Sequence, residues 1–360
     1  MKKYLNLFTI TLLLFLSITT PIVTYSASPS ANNWTNEEAQ EKFEQTVLKI
    51  CDTLKPNYLA LALEVNTFYQ YHEEDFDRFV DLYKAIYDTI KSNPTYANTK
   101  VYVTFQLERM KGLGKAVGYS GKPQWEILSK FEGKLDLLVF TTYPEVEYPT
   151  PAKMPDDYYS SIYNNIPANL RNKNIAISEM GWNSANLIPV TGKNNSPKTQ
   201  AQYIEKFAKL INDLKDAGKV EYVAWTFMHD FKDYGVYNPL RTIGLFDSRG
   251  KAKDAGNNVL KMWYSFNKFE SPAFKIGIGP VPRNFPGSTE ADWFDMFQKV
   301  PYLATLMLAQ THWYDSPAKA GEVPQLFIDF NAAKKYHKAD CLYGINFFNT
   351  DNGEPKIAIK

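Results

Sequence analysis

The stretch NIAISEMGWN, residues 174–183, decides the fold, because an apolar run ends there abruptly in a carboxylate that Gly and Trp follow closely. A buried parallel strand that delivers one acid to the mouth of a barrel has this pattern. A carboxylate in an apolar setting must be solvated, paired or functional, since burial of an unpaired charge is costly. Glu179 is therefore the first candidate catalytic residue, with a structural ion pair as the alternative interpretation.

Apolar runs of the same kind recur along the chain and alternate with helical stretches, two of which begin at a capping box (Thr35 to Glu38) and at Ser196-Pro197. The alternation predicts eight β/α units, the pattern of a (β/α)8 TIM barrel of the α/β class. A division into two domains near Ser271-Pro272 is the structural alternative. The predicted strands are residues 58–65, 100–107, 135–143, 175–179, 221–228, 274–279, 303–310 and 342–348; the predicted helices are 35–54, 73–91, 123–131, 156–165, 197–217, 253–266, 289–300 and 325–336.

The N-terminus has the layout of a secretory signal peptide. Lys2 and Lys3 precede an apolar stretch, residues 5–22, and small residues follow at Ser26-Ala27-Ser28. We expect residues 1–28 to be removed and residues 29–360 to form a single barrel domain of a secreted, extracellular protein with no membrane association after cleavage. An uncleaved membrane anchor is the alternative.

The composition narrows the function classes. The chain has 360 residues and a formal net charge of +1, which argues against nucleic acid as a partner. Aromatic residues make up 15%, as expected either for a large aromatic core or for a cleft in which sugars stack on flat rings. The four histidines show no metal-ligand spacing and no nucleotide-binding motif is present, so we predict no cofactor and no metal. We expect a monomer with a carbohydrate substrate.

A second carboxylate is predicted to face Glu179. In a parallel barrel the functional side chains stand where the strands end. Strand alternation places Ala62, Glu64 and Asn66 on one face, so Glu64 would converge with Glu179 from a strand three steps away. Two carboxyl groups at such a mouth fit glycoside hydrolysis. The alternative for Glu64 is a solvated residue at a strand end.

Polar and aromatic side chains at the other strand ends are candidates for contacts with a sugar. The alternative for Trp182 and Trp225 is that they are core aromatics, and His229 and His312 remain open. The complete set of candidate substrate-binding residues is Asn66, Gln106, Tyr143, Trp182, Trp225, His229, Gln310, His312 and Trp313.

The segment from Tyr58 to Asp254 resembles the second half of the clan-A, "4/7" retaining glycoside hydrolases. The resemblance implies that Glu64 is the acid/base at the end of barrel strand four and that Glu179 is the nucleophile at the end of strand seven. Trp225 matches the aromatic residue that ends strand eight in many members. GLFDSRGKAK, residues 244–253, is similar to the segment that follows strand eight. A weak likeness to endo-β-1,4-galactanases is also present.

The sequence departs from the family pattern directly before the acid/base. The family has Asn there and this chain has Leu63, with Asn66 on the same predicted face as a substitute. The departure favours a second hypothesis, a non-catalytic carbohydrate-binding barrel. A third hypothesis is a chain that is incomplete without a partner.

The order of the strands relative to the family implies a circular permutation. If residues 58–65 form strand four, then strands one to three follow strand eight, and the chain begins at helix three and ends at strand three. Chain ends that lie close together tolerate such rearrangement. The permutation would place Cys51 and Cys341 on adjacent elements, either as a disulfide or as two buried thiols.

Overall fold

The computed structural model describes residues 34–231, 239–254, 257–258, 274–279, 306–312, 322–337 and 340–347. The predicted signal peptide, the helix predicted at residues 289–300, most of that at 253–266, the possible division near Ser271 and the candidate Trp313 lie outside these ranges. No helix in the described part is both long enough and apolar enough to cross a membrane.

Eight α-helices lie within the described residues, and the long ones agree with the sequence prediction. Two predicted helices are shorter than expected, because residues 123–131 and 156–165 retain only one α-helical turn each. The helices are α1 (Glu37–Leu54), α2 (Val65–Tyr71), α3 (Glu73–Ser92), α4 (Leu107–Met110), α5 (Ile127–Lys130), α6 (Ile162–Asn165), α7 (Pro197–Asp216) and α8 (Gln325–His337).

Helix starts follow the local capping chemistry. Ser196 caps α7 as predicted, and its hydroxyl accepts a hydrogen bond from the Thr199 N–H at 3.1 Å. The predicted cap at Thr35 is wrong by one residue, because the Asn36 side chain accepts from the Ala39 N–H at 3.2 Å. Asn is as strong an N-cap as Thr or stronger, so the correction follows the known preference.

All strands in the described residues pair in parallel in one sheet. The strands are β1 (Tyr58–Ala60), β2 (Lys100–Tyr102), β3 (Thr104–Gln106), β4 (Leu138–Thr142), β5 (Ile175–Met180), β6 (Val220–Trp225), β7 (Lys275–Ile278), β8 (Leu306–His312) and β9 (Asp340–Asn346). Their order is β2-β1-β9-β8-β7-β6-β5-β4-β3. Each predicted strand is present, most of them within a few residues of the predicted bounds.

The sheet returns to the segment on which it starts. Val103 alone separates β2 from β3, so these two strands are halves of one extended segment. That segment pairs with β1 through its first half and with β4 through its second half. Eight parallel segments are thereby arranged in a ring, and the predicted (β/α)8 barrel is confirmed. The circular permutation remains a prediction.

Side chains from distant strands meet inside the ring. The Tyr58 hydroxyl on β1 donates to Glu221 Oε1 on β6 at 2.9 Å, and the hydroxyls of Tyr102 on β2 and Tyr222 on β6 lie 2.9 Å apart. The interior is therefore a packed core and not a channel, as TIM barrels require.

Cys51 and Cys341 are buried and form no disulfide, so the disulfide interpretation is wrong and the alternative of two buried thiols is correct. The Cys341 thiol donates to the Phe330 carbonyl at a sulfur–oxygen distance of 3.7 Å. Burial raises the pKa of the Cys51 thiol to about 12, which keeps it neutral and unreactive.

Candidate active site

Glu64 stands at a sharp turn that follows β1, not on the strand that the sequence predicts. The strand over residues 58–65 is wrong beyond Ala60, since the chain bends through residues 61–64 and α2 begins at Val65. Glu64 adopts the left-handed conformation, with φ 51° and ψ 44°. A side chain other than Gly is strained there. The Thr104 hydroxyl holds the turn by accepting from the Glu64 N–H at 2.8 Å.

Glu179 is the penultimate residue of β5, one residue before the strand ends, and it is partly exposed. The Tyr143 hydroxyl donates to Glu179 Oε2 at 2.6 Å and lies 2.9 Å from Thr226 Oγ1. Burial, followed by the charges of Glu179 and Glu64, raises the pKa of Tyr143 well above its ordinary value. Tyr143 therefore stays neutral and serves as a hydrogen-bond donor to Glu179.

The two carboxylates come together at the same end of the barrel. They belong to segments three steps apart in the ring, and Thr141 on the intervening β4 donates to Glu64 Oε1 at 2.5 Å. Burial and then the charge of Glu179 raise the pKa of Glu64 to about 8, against the lowering effect of the Thr141 bond and of Arg109. At neutral pH Glu64 is therefore mainly protonated while it faces a second carboxyl group.

The raised pKa of Glu64 has a consequence for stability. The folded protein binds a proton at Glu64 between pH 4.5 and about 8 that the unfolded chain releases, so stability falls as pH rises through this window. We expect Glu64→Gln to remove this loss and to gain up to about 4 kcal/mol relative to the wild type as pH rises from about 5 to about 9. Urea unfolding of both proteins across that range measures the gain. Parallel stability curves would contradict the assignment.

Arg109 is part of the site and was missed by the sequence analysis. Its Nε donates to Gln106 Oε1 at 2.8 Å, its Nη1 donates to Gln70 Oε1 at 2.6 Å, and its guanidinium lies 3.8 Å from the centre of the Tyr119 ring. These contacts fix a cation close enough to attract Glu64. Its only signal in the sequence is its position three residues after Gln106, the residue that ends β3.

Two of the predicted sugar contacts are structural. Asn66 is fully buried; its Oδ1 accepts from the Gln106 N–H at 2.8 Å and its Nδ2 donates to the Gln106 carbonyl at 3.0 Å. The predicted common face of Glu64 and Asn66 is wrong, since Asn66 lies on α2. Gln106 uses its own amide group to bind Arg109 and the Tyr119 hydroxyl, so it positions neighbours of Glu64.

Both predicted tryptophan platforms are core residues. Trp182 and Trp225 have no exposed surface, and their rings pack 5.3 and 6.2 Å from the ring of Tyr203. Their indole N–H groups donate to Asn195 Oδ1 and to the Ile243 carbonyl, both at 3.0 Å. The prediction that they contact sugar is therefore corrected, because a fully satisfied, fully buried indole offers no stacking face.

The remaining candidate sugar contacts are His229, Gln310, His312 and Trp313. His229 is 6% exposed, with its ring 5.5 Å from that of Phe246, so it offers little surface to a ligand. The backbone of Gln310 and His312 lies at the end of β8. The side chains of these two residues lie outside the described part of the structure, as Trp313 does entirely. Among the described residues, no group of three or more His, Cys, Asp or Glu side chains could hold a metal ion.

No family profile matches the chain, and no curated protein is similar in sequence. Similar solved structures include a glycoside hydrolase family 17 β-1,3-glucanosyltransferase from Rhizomucor miehei, with 16% identity over 58% of this chain and 67% of that one and a TM-score of 0.41. A variant GH5_18 protein from Streptomyces cattleya has 13% identity over 89% and 71%, with a TM-score of 0.47. A β-glucosidase from Thermotoga maritima has 13% identity over 65% and 68%, with a TM-score of 0.43.

Proposed function

We propose that the protein is a secreted glycoside hydrolase that cleaves a β-linked poly- or oligosaccharide by a two-carboxylate retaining mechanism. The observation that carries the proposal is the pairing of a carboxyl group whose pKa is about 8, Glu64, with a second carboxylate, Glu179, that accepts a hydrogen bond from Tyr143. The β linkage is proposed on the resemblance to the 4/7 hydrolases. Secretion is proposed on the predicted signal peptide alone.

The two carboxyl groups have the unequal environments that this chemistry requires. Glu64 holds a proton at neutral pH, so it can protonate the glycosidic oxygen as the bond to the anomeric carbon breaks. Glu179 accepts a bond from a neutral phenol, which favours the ionised nucleophile. In the first step its carboxylate bonds to the anomeric carbon. In the second step Glu64, now ionised, takes a proton from water, and the resulting oxygen nucleophile releases the sugar from Glu179.

Hydrolysis of a panel of plant and microbial polysaccharides tests the proposal. We expect release of reducing sugar from at least one β-linked polymer, with kcat/KM falling above a pKa near 8 as Glu64 loses its proton. Glu64→Gln should lack this alkaline limb, because Gln does not titrate. No hydrolysis of any β-linked glycan, or an unchanged limb in the variant, would contradict the assignment.

A non-catalytic carbohydrate-binding barrel is the second candidate, and one observation favours it. Leu63 occupies the position of the family's Asn, and Asn66, the predicted substitute, has its amide engaged with the Gln106 backbone. Saturable glycan binding by calorimetry without release of reducing sugar would select this candidate. Turnover that Glu179→Gln abolishes would exclude it.

A further inference from the structure

Glu108 is a fully buried carboxyl group near the site, and neither step above uses it. One of its oxygens, Oε1, accepts three hydrogen bonds: from the Thr142 hydroxyl at 2.8 Å, the Tyr143 N–H at 3.0 Å and the Tyr158 hydroxyl at 2.7 Å. The other, Oε2, is buried without a hydrogen-bond partner among the described residues. A carboxyl group kept at such a desolvation cost needs an explanation beyond the filling of space.

The three donors show which part of the protein Glu108 fixes. Thr142 is the last residue of β4 and Tyr143 follows it, so one carboxyl oxygen holds the backbone at the point where the strand ends. Tyr158 lies in the segment beyond, and its hydroxyl ties that segment to the same oxygen. Tyr143 is therefore held through its main chain while its hydroxyl reaches Glu179 at 2.6 Å.

We propose that Glu108 is a positioning residue that sets the backbone of Tyr143, so that the Tyr143 hydroxyl stays aimed at Glu179. Glu108 reaches no reacting atom and acts through Tyr143. The contribution of Glu108 to catalysis rests on the proposed function. The contact chain Glu108–Tyr143–Glu179 is independent of it.

The charged and titratable surroundings bear on how Glu108 is to be replaced. Burial raises the pKa of Glu108, and the three hydrogen bonds to Oε1 oppose that effect. The groups that feel its charge are Glu64, Lys111, Tyr119, Tyr148, Tyr158, Tyr159 and Tyr203. Gln at position 108 keeps an oxygen for the three donors without any charge, whereas Met keeps the size and removes the acceptor. This pair of substitutions separates geometry from charge.

A double-mutant cycle with Tyr143→Phe measures whether Glu108 acts through Tyr143. We expect Glu108→Met to lower kcat/KM about 100-fold, the order of loss that a misplaced positioning group causes. The double variant should fall no further than Tyr143→Phe alone, and Glu108→Gln should stay within about threefold of wild type. Independent, multiplicative losses, or a Gln variant as impaired as Met, would overturn the proposal. If the Met variant does not fold, Tyr158→Phe removes one donor to the same oxygen and enters the same cycle.

Glu145 offers a matched control. It too is fully buried, and it accepts from the Asn183 N–H at 3.0 Å and from Lys193 Nζ at 2.9 Å, contacts that do not involve Tyr143. Replacing the ion pair Glu145–Lys193 by two Met residues avoids leaving one charge unpaired. Any loss in this variant should multiply with that of Tyr143→Phe, because the Glu145 carboxylate bonds Asn183 and Lys193 and not Tyr143. A non-multiplicative result here would reveal general loosening and would overturn the specific role of Glu108.

A spectroscopic measurement tests the contact chain without any turnover. In protein labelled with ¹³C at tyrosine Cζ, the Tyr143 resonance is assigned by its loss in Tyr143→Phe. We expect Glu179→Gln and Glu108→Met to shift this resonance, and Glu108→Gln and the Glu145–Lys193 control to leave it in place. An unmoved resonance in Glu108→Met would contradict the positioning role even if the protein hydrolyses glycans. If the protein shows these shifts but has no hydrolase activity, the proposed function is contradicted and the positioning role is not.

Discussion

Replacing Glu179 by Gln is expected to lower kcat at least about 10⁴-fold and to leave the fold intact, because an amide cannot form the glycosyl ester. Glu179 is partly exposed at the end of β5, so the isosteric amide introduces no cavity and no buried charge. The loss is measured as kcat on the polysaccharide that the panel identifies. Circular dichroism and the melting temperature establish that the variant is folded.

A smaller side chain at position 179 sharpens this test. With azide present, Glu179→Ala should regain turnover and yield the glycosyl azide of inverted anomeric configuration, since azide enters from the face that the carboxylate occupies. Glu147→Gln is a control, because Glu147 accepts from the Gly114 N–H at 2.8 Å and this contact stands apart from those that join Glu64, Tyr143 and Glu179. Undiminished activity in Glu179→Gln would eliminate Glu179 as the nucleophile.

Replacing Glu64 by Gln is the second substitution with a large expected effect. Without a proton donor, kcat/KM on natural glycans should fall about 10³-fold, within the usual contribution of general acid catalysis. Aryl glycosides with strongly acidic leaving groups need no protonation, so their first step should be nearly unaffected. Comparing the two substrate classes in pre-steady-state kinetics measures the difference.

Azide separates the role of Glu64 from that of Glu179. In Glu64→Ala, azide should accelerate the second step and yield the glycosyl azide of retained configuration, because it attacks the glycosyl-enzyme without needing a base. Asn66→Ala is an informative comparison, since Asn66 bonds the Gln106 backbone and should affect stability more than the leaving-group dependence. Equal losses on both substrate classes in Glu64→Gln would contradict its role as the acid.

The sequence was most informative where a single strand has both a clear hydrophobic pattern and a candidate catalytic residue. Residues 175–179 show neither a helical period nor an alternation of polar and apolar residues, as expected of a buried strand. The structure has β5 there, with Glu179 as its penultimate residue. The partner Glu64 was found for a reason that the structure corrects. Strand alternation does not reach it, because the strand ends at Ala60, Glu64 is in the left-handed region and a helix begins at Val65.

Other features of the site depend on contacts between distant residues, which periodicity cannot show. The position of Trp182 shortly after Glu179 predicts that it lines the cleft. In the structure its indole N–H donates to Asn195 and its ring packs against Tyr203. Arg109 and Glu108 are adjacent residues on one short helix, and their roles arise from Gln70 and Tyr119 in one case and from Tyr143 and Tyr158 in the other. All of these partners except Tyr119 are 35 to 50 residues away in the chain, and no local pattern encodes contacts at that separation.

Trapping the glycosyl-enzyme is the most direct test of the two-carboxylate mechanism. The protein is incubated with a 2-deoxy-2-fluoro glycoside of the sugar that the panel identifies, digested with trypsin and analysed by mass spectrometry. The account predicts a fluoroglycosyl adduct on the tryptic peptide of residues 174–193, located at Glu179 and absent from Glu179→Gln. An adduct on another carboxylate would contradict it. So would turnover of the fluoro glycoside without inactivation and with a product of inverted anomeric configuration.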